Sequence, residues 1–528
     1  MSQIKNPSLY QVNTRVWLTE LSEQLGRRAT LDDVPDLELD RWAAMGFDWI
    51  WFLSVWKTGR AAQQISRANP EWRHEFEQTL PDLREEDIAG SGFAITGYSV
   101  HQDLGGDAAL DRLRKRMQRR GLKLMLDFVP NHMAPDHPWV EEHPEYFVSG
   151  TKEDLENSPQ NYALIKGNSG EHILAFGRDP YFPGWPDTLQ LDYSNPALQD
   201  AMIQQLLKIA SQCDGVRCDM AMLILPEVFE RTWGRKSQPF WPNATRRVRE
   251  KVPGFTFMAE VYWDLEWELQ QQGFDNAYDK RLYDRLREGH ADAVRGHLHA
   301  DQKYQEKLAR FLENHDEPRA AASFDESTHK AAAVITFIAQ GLRFFHQGQF
   351  EGRMKRISPH LVRAPKEAVN EDLRKFYDEL LSAIKLPIFR EGDWQLLEPI
   401  PAWNGNESSN AFVLFAWSGE NGALSLVAVN YSPNQSQCYV RLPFKTLSGK
   451  PVRFRDLMSS AIYDREGDKV LSEGIYLDMP AWGYHIFDLR VGSKLLSDQS
   501  DKSSPQESSF LSQTEKPKPS AISNLNEK

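Results

Sequence analysis

The stretch Asp214-Gly215-Val216-Arg217-Cys218-Asp219 reads as the end of a buried strand that carries two charges. Arg217 and Asp219 stand two residues apart, which in an extended strand puts both side chains on one face, with Cys218 on the other. Charges on the inward face of a buried strand are costly unless they satisfy one another. The pair is therefore either a structural ion pair or part of an active site, and Cys218 reads as packing.

Working outward, the same signature recurs. Leu122-Lys123-Leu124-Met125-Leu126-Asp127-Phe128-Val129-Pro130-Asn131-His132 is an apolar strand ending in polar residues, as are Phe255-Thr256-Phe257-Met258-Ala259-Glu260 and Phe311-Leu312-Glu313-Asn314-His315-Asp316. Polar groups at the carboxyl ends of successive strands, with helices between, predict a parallel (β/α)8 TIM barrel whose mouth is the active face. Taken in order, residues 9–18 read as the first strand, 32–45 as a helix stopped by Gly46, and 47–55 as a strand buried on both faces. A polar, helical insertion with Trp72 and Phe76 follows at 57–91, then an amphipathic helix at 107–119. After the third strand, residues 133–191 show no clear helix and predict a small loop-rich subdomain over the active face. Asn195-Pro196 opens a helix to Gln212, and further strands are expected at 255–261, 274–279, 309–314 and 342–346, with a closing helix at 371–384.

From Trp394 the texture changes to short alternating strands, at 411–417, 424–431 and 439–442, which predict a C-terminal all-β sandwich. The expected organisation is a catalytic barrel over 1–392, with the subdomain 133–191 inserted, a sandwich over 393–490 and a disordered tail over 491–528, rich in Ser, Lys, Gln and Pro. No internal repeat stands out.

Composition narrows the function. A net charge of -13 and no large Lys/Arg cluster argue against nucleic acid as partner. The first residues lack an apolar stretch of the signal-peptide kind and no apolar run is long enough to span a bilayer, so no membrane is expected and the reading is cytoplasmic. Three cysteines, Cys213, Cys218 and Cys438, form neither a disulfide framework nor a zinc pattern. The 16 Trp fit the helix-sheet layer of a large barrel, and flat aromatic faces also pack on sugars.

Asp219, Glu260 and Asp316 fall at the ends of strands four, five and seven and so converge on one mouth. Two carboxylates flanking a glycosidic bond can supply an ionised nucleophile and a protonated acid if their environments push their pKa values apart. Arg217 would hold Asp219 ionised, and the apolar setting of Glu260 would keep it protonated. At these residues the sequence resembles the α-amylase clan of glycoside hydrolases, over about residues 9–490. The pattern runs in order: Asp127-x-x-x-Asn131-His132, Gly215-x-Arg217-x-Asp219, Glu260, then Asn314-His315-Asp316, with Gly97-Tyr98 and the terminal sandwich in keeping.

The resemblance implies a retaining mechanism on an α-linked glucan or oligosaccharide. Asp219 would be the nucleophile, Glu260 the general acid and then base, and Asp316 the carboxylate that binds sugar hydroxyls and stabilises the oxocarbenium-like transition state. His132 and His315 would hydrogen-bond hydroxyls of the same sugar, with Arg217 beside Asp219 and Tyr98 stacked beneath the ring. No cofactor is called for. Gln190 stands where an aspartate often helps to hold a structural calcium, and Asn131 alone is a weak ligand for a hard cation, which leaves calcium in doubt. His346-Gln347-Gly348-Gln349 and the polar stretch 357–369 depart from the family pattern, so the specificity loops are this chain's own. Hydrolysis and transfer differ only in what intercepts the covalent intermediate, and a glucanotransferase or sugar isomerase could use the same site. A non-catalytic carbohydrate-binding scaffold is disfavoured, since it has no use for three converging carboxylates. Nothing in the sequence sets an oligomeric state.

Overall fold

The computed structural model describes residues 4–167 and 170–492. The strands β1 (Ser8–Asn13), β2 (Trp49–Leu53), β3 (Lys123–Phe128), β4 (Gly215–Cys218), β5 (Thr256–Ala259), β6 (Asn276–Tyr278), β7 (Leu308–Arg310) and β8 (Leu342–His346) close into a barrel in chain order. Every pairing is parallel, including the seam, where Leu9 lies opposite Phe344. The apolar strands predicted from sequence are buried throughout, as a parallel sheet covered by helices requires.

Three differences have physical reasons. The run 9–18 is not one strand: β1 stops at Asn13, whose N–H donates to the side chain of Gln347 at 3.0 Å, and Thr14–Leu25 returns as a helix with Val16, Leu18 and Leu21 buried. Aromatic and β-branched residues favour strands only weakly, and packing against the barrel overrides the preference. Asn314, His315 and Asp316 lie beyond the short β7, on the loop it feeds. The excursion 133–191 does contain helices, at Trp139–Glu142 and Lys152–Asn157, and a hairpin pairing Tyr162–Gly167 with Gly170–Ala175. The second helix begins at a capping box, with Thr151 Oγ1 accepting from Asp154 N–H and Asp154 accepting from Thr151 N–H.

The bottom of the barrel is pinned by a repeated device. Asp48, Asp214 and Asp275, each just before an even-numbered strand, accept the backbone N–H of Ser8, Leu124 and Phe257 on the preceding odd strand, all at 2.8 Å. Each is paired with an arginine, Arg390, Arg114 and Arg249 respectively. Gly215 lets β4 approach β5: a Cβ there would lie 2.8 Å from Thr256 O. Gly46, at φ 91°, ends the helix Asp36–Met45 as expected.

The chain falls into two compact units, one ending at Trp394 and one beginning at Gln395. Strands β9 (Asp393–Leu397), whose first two residues precede that boundary, β10 (Phe412–Ser418), β11 (Leu424–Asn430), β12 (Ser436–Val440), β13 (Pro451–Asp456), β14 (Ile462–Glu466), β15 (Ile475–Met479) and β16 (Tyr484–Val491) build a six-stranded sheet, in the order β9-β10-β11-β16-β13-β14, and the pair β12-β15. The second unit's own core includes Phe412, Leu414, Leu426, Leu447 and Phe487. The stretch expected to form a disordered tail lies outside the described residues from position 493 onward, while Val491 ends β16.

Candidate active site

Arg217 is the hub of the barrel mouth. It is fully buried, and its Nη1 donates to Asp219 Oδ1 at 2.6 Å. Nη2 lies 2.6 Å from Glu260 Oε2 and 3.8 Å from Asp316 Oδ2, without the alignment of a hydrogen bond. Trp51, Phe93 and Tyr278 surround the guanidinium, 5.4, 5.3 and 5.7 Å from their ring centroids. Burial works against its charge, but Glu260, Tyr278 and Asp219 outweigh it and hold Arg217 protonated.

Glu260 is the carboxyl of the set that burial keeps protonated. Burial, reinforced by Asp219 and Asp316, pushes its carboxyl up to about 8, against the pull of Arg217 and the Met220 N–H. Met220 N–H donates to Oε2 at 2.6 Å and the Tyr262 hydroxyl to Oε1 at 3.0 Å. Asp316 is the open member, its side chain 38% exposed, with His315 Nε2 at 3.0 Å. Gln11 Nε2 is 2.9 Å from the other ring nitrogen of His315. Burial keeps both His132 and His315 below the usual imidazole range, so both rings are neutral.

Asp219, Glu260, Asp316 and His132 line one cavity of about 280 Å³, whose walls include Trp72, Phe93, Trp185, Asp187, Tyr262 and His360. The geometry thus brings together six of the seven residues singled out from sequence, with Arg217 and His315 in contact with the carboxylates from behind. Tyr98 is not brought to the wall. It is 2% exposed, its hydroxyl donates to Val129 O at 2.9 Å and accepts from Val129 N–H at 3.0 Å, and its ring packs against Phe128. The aromatic that this stretch of chain places on the cavity is Phe93, stacked on His315 at 5.4 Å. Phe93 and Asp187 were not read from sequence; Gly92-Phe93 lies close enough to Gly97-Tyr98 for the pattern to settle on the wrong ring.

A family model for the alpha-amylase catalytic domain matches residues 38–383. The chain belongs to the alpha-amylase family. Among curated relatives it is 25% identical to alpha-amylase MalA of Haloarcula japonica over 365 residues, 67% of this chain and 49% of the relative. It is 34% identical over 265 residues to the alpha-1,4-glucan:maltose-1-phosphate maltosyltransferase of Salinibacter ruber, covering 47% and 33% of the two chains. The matches span about half the length of the first of these relatives and a third of the second. The crystal structure of a maltogenic alpha-amylase, AmyB from Thermotoga neapolitana, superposes with a TM-score of 0.65 at 17% identity, covering 92% of this chain and 98% of that one. The alpha-amylase of Geobacillus thermoleovorans complexed with acarbose does so at 0.62 and 18%, covering 92% and 98%. At these identities the structural likeness shows the shared fold.

The position where family members often hold calcium does not fit a cation in this alpha-amylase family member. Gln190 is fully buried, and its Nε2 faces Asn131 O at 3.0 Å, Asn131 Oδ1 at 3.0 Å and Leu191 O at 3.1 Å. An amide group therefore stands among the oxygens a hard cation would need, at hydrogen-bond rather than coordination distance. Asp192 is taken by Arg235 and Ser194, and no cluster of three or more His, Cys, Asp or Glu fit to hold a metal occurs among the described residues. No helix among them is long and apolar enough to cross a membrane.

Proposed function

We propose that this chain is a retaining glycosidase that acts on α-linked glucans or oligosaccharides through a covalent glycosyl-enzyme. The observation that carries the reading is the single guanidinium of Arg217 in contact with both Asp219 and Glu260. An inverting enzyme keeps about 6.5–9.5 Å between its carboxyl groups to admit a water, and one bridging guanidinium favours the shorter separation. Asp219 attacks the anomeric carbon as Glu260 gives its proton to the departing glycosidic oxygen. Glu260 then takes a proton from the incoming water as the oxygen of that water displaces Asp219. Asp316 and the neutral His132 accept or donate hydrogen bonds at the sugar hydroxyls, which strengthen as the ring flattens toward the transition state, while His315 holds Asp316 from behind. The α-glucan substrate class is supported by the names of the relatives, an alpha-amylase and an alpha-1,4-glucan maltosyltransferase.

Transfer to a sugar acceptor is the second reading, supported by an aromatic group outside the cavity. Tyr181 and Phe182 are 59% and 67% exposed, Tyr181 meets Trp263 edge-on at 5.1 Å, and Trp263 directly follows the cavity residue Tyr262. Such faces can hold an acceptor sugar against water. The test is incubation with maltooligosaccharides, resolving products by chromatography and their anomeric form by NMR. First-formed α-anomers that are shorter than the substrate establish retaining hydrolysis, longer ones establish transfer, and β-anomers overturn the mechanism. Asp219→Asn should cut turnover by about three orders of magnitude or more at unchanged circular dichroism.

A further inference from the structure

The cavity holds a fourth acid that the mechanism above does not use. Asp187 is 3% exposed and lines the wall beside Trp185 and Thr188. Its Oδ2 is buried without a hydrogen-bond partner, and among the described residues no cation is paired with it. Burial pushes its carboxyl up to about 7, against one hydrogen bond from its own backbone N–H.

The segment around it is tied down by hydrogen bonds and packing. Trp185 O accepts both the N–H and the hydroxyl of Thr188 at 3.0 Å, which closes the turn Trp185-Pro186-Asp187-Thr188 with Pro186 in the position that favours its fixed φ. Trp185 N–H donates to Gly177 O at 2.7 Å, and the Trp185 ring meets His132 edge-on at 5.4 Å. A Cβ at Gly177 would come within 2.9 Å of His132 Cβ, so the absence of a side chain there allows this close packing.

A buried carboxylate oxygen with no donor opposite it destabilises the protein that carries it. Asp127 has both oxygens filled, by Trp51 Nε1 and by Ser54 N–H, and Asp279 Oδ2 and Glu313 Oε1, which also lack an aligned donor, each face an arginine, Arg310 at 3.8 Å and Arg319 at 3.0 Å. The donors missing at Asp187 are of the kind a sugar ring supplies in adjacent hydroxyls. We propose that Asp187 is a specificity-determining residue, accepting hydrogen bonds from hydroxyls of the sugar unit seated against the Trp185 and His132 side of the cavity. The assignment rests on the glycosidase reading above.

The test is Asp187→Asn, which keeps the shape, examined with and without substrate. In the ligand-free protein the raised carboxyl means that ionisation costs stability, and the cost grows as pH rises from about 4 to about 7. The variant should therefore melt higher than the parent at pH 8, with the difference shrinking toward pH 4. His132, Asp219, Glu260, Tyr262, Asp316 and His360, the other titratable groups on the cavity, are common to both proteins and largely cancel in the comparison. With maltooligosaccharides the variant should show KM raised about ten- to a hundredfold, as loss of a hydrogen bond to a charged group implies, and kcat within a few-fold of the parent. An unchanged KM with normal turnover overturns this assignment alone, and so does a variant that melts lower at both pH values, which would mean the carboxylate has a structural partner. If the unsubstituted protein turns over no α-glucan, the glycosidase reading fails and this assignment falls with it.

Discussion

At Met220 the backbone turns left-handed, φ 42°, immediately after the nucleophile candidate Asp219, and that turn is what delivers its N–H to Glu260. A non-glycine residue there costs about 1–3 kcal/mol and persists only where surrounding contacts enforce it. The outcome is a carboxyl held by two donors yet still protonated, because burial and the carboxylates Asp219 and Asp316 outweigh Arg217. The sign follows directly. Below about pH 8 Glu260 carries the proton the leaving oxygen needs, and above it the proton is gone, so kcat/KM should fall on the alkaline side with a midpoint near 8. Because the folded protein holds this proton more tightly than the unfolded chain, the stability contributed by the neutral form is also lost as pH rises from about 4.5 toward 8. In Glu260→Gln the alkaline limb should vanish from the residual activity, measured on an aryl glucoside whose leaving group needs no proton; a limb that stays assigns it to another group. Two aromatics separate binding from stability in the same way. Tyr98→Phe strips both hydrogen bonds from the Val129 backbone and should cost about 1–3 kcal/mol, read as a lowered melting temperature with KM unchanged. Phe93→Ala should instead raise KM, since it removes the ring on the cavity wall. The opposite pattern would return Tyr98 to the sugar.

Between elements, the informative joint is the one where His132–Met133 pairs antiparallel with Leu189–Gln190, tying the two ends of the excursion together just past β3. There the Gln190 amide holds three oxygens together, Asn131 O, Asn131 Oδ1 and Leu191 O. Chelator should therefore leave the melting temperature of the unsubstituted protein unmoved. Gln190→Asp should lower it by several degrees, by setting a carboxylate against three oxygens, and millimolar calcium should restore part of the loss. A chelator-sensitive parent would sink this account. The joint also marks how far sequence reasoning reaches. Gln190 stood out against the family pattern, and the strand 342–346 and the helix 371–384 fall on β8 and Glu371–Ile384 at both ends, because Leu342, Phe344 and Phe345 following Gly341, and an Asn370 cap, are local signals. The end of β1 was not local: it depends on the seam that Asn13 and Gln347 make across the whole barrel. Gly46-Phe47-Asp48 and Gly273-Phe274-Asp275 are the same tripeptide, with Cys213-Asp214 a looser copy, and that short repeat encodes the pinning of the barrel floor. It passed unread because three residues over so long a chain carry little weight until the N–H each aspartate holds is known. Asp187 was illegible for a plainer reason, since only the folded turn shows that it is buried, unpartnered and on the cavity.

Across the catalytic unit the cavity is closed by segments remote in sequence. The helix Pro70–Thr79 and the segment that follows it, inserted after β2, pack on the loop after β8 through Phe76, Leu80, Ile88 and Leu361, with Trp72, Leu83 and Ile357 at the margin. The loop's His360 accepts or donates a hydrogen bond with Ser66 at 2.6 Å and lies 4.7 Å from the Trp72 ring, and both His360 and Trp72 face the substrate space. Arg363 clamps the joint. It reaches both oxygens of the buried Asp87 at 2.9 and 2.7 Å and both oxygens of Asp82 at 3.1 Å. A planar guanidinium satisfies two carboxylates in a fixed geometry that an ammonium cannot reproduce. Arg363→Ala would leave Asp87 short of its partner, and since the arginine is itself about one-fifth exposed the cost is discounted to about 1–3 kcal/mol. The wall bearing Trp72 and His360 should then loosen, giving KM raised about three- to tenfold and a lower melting temperature with kcat little changed, and Arg363→Lys should rescue neither KM nor melting temperature. Loss of kcat with KM intact would mean that the clamp acts on Asp219, Glu260 or Asp316. Recovery in the lysine variant would mean that charge alone, without the fork, holds the wall.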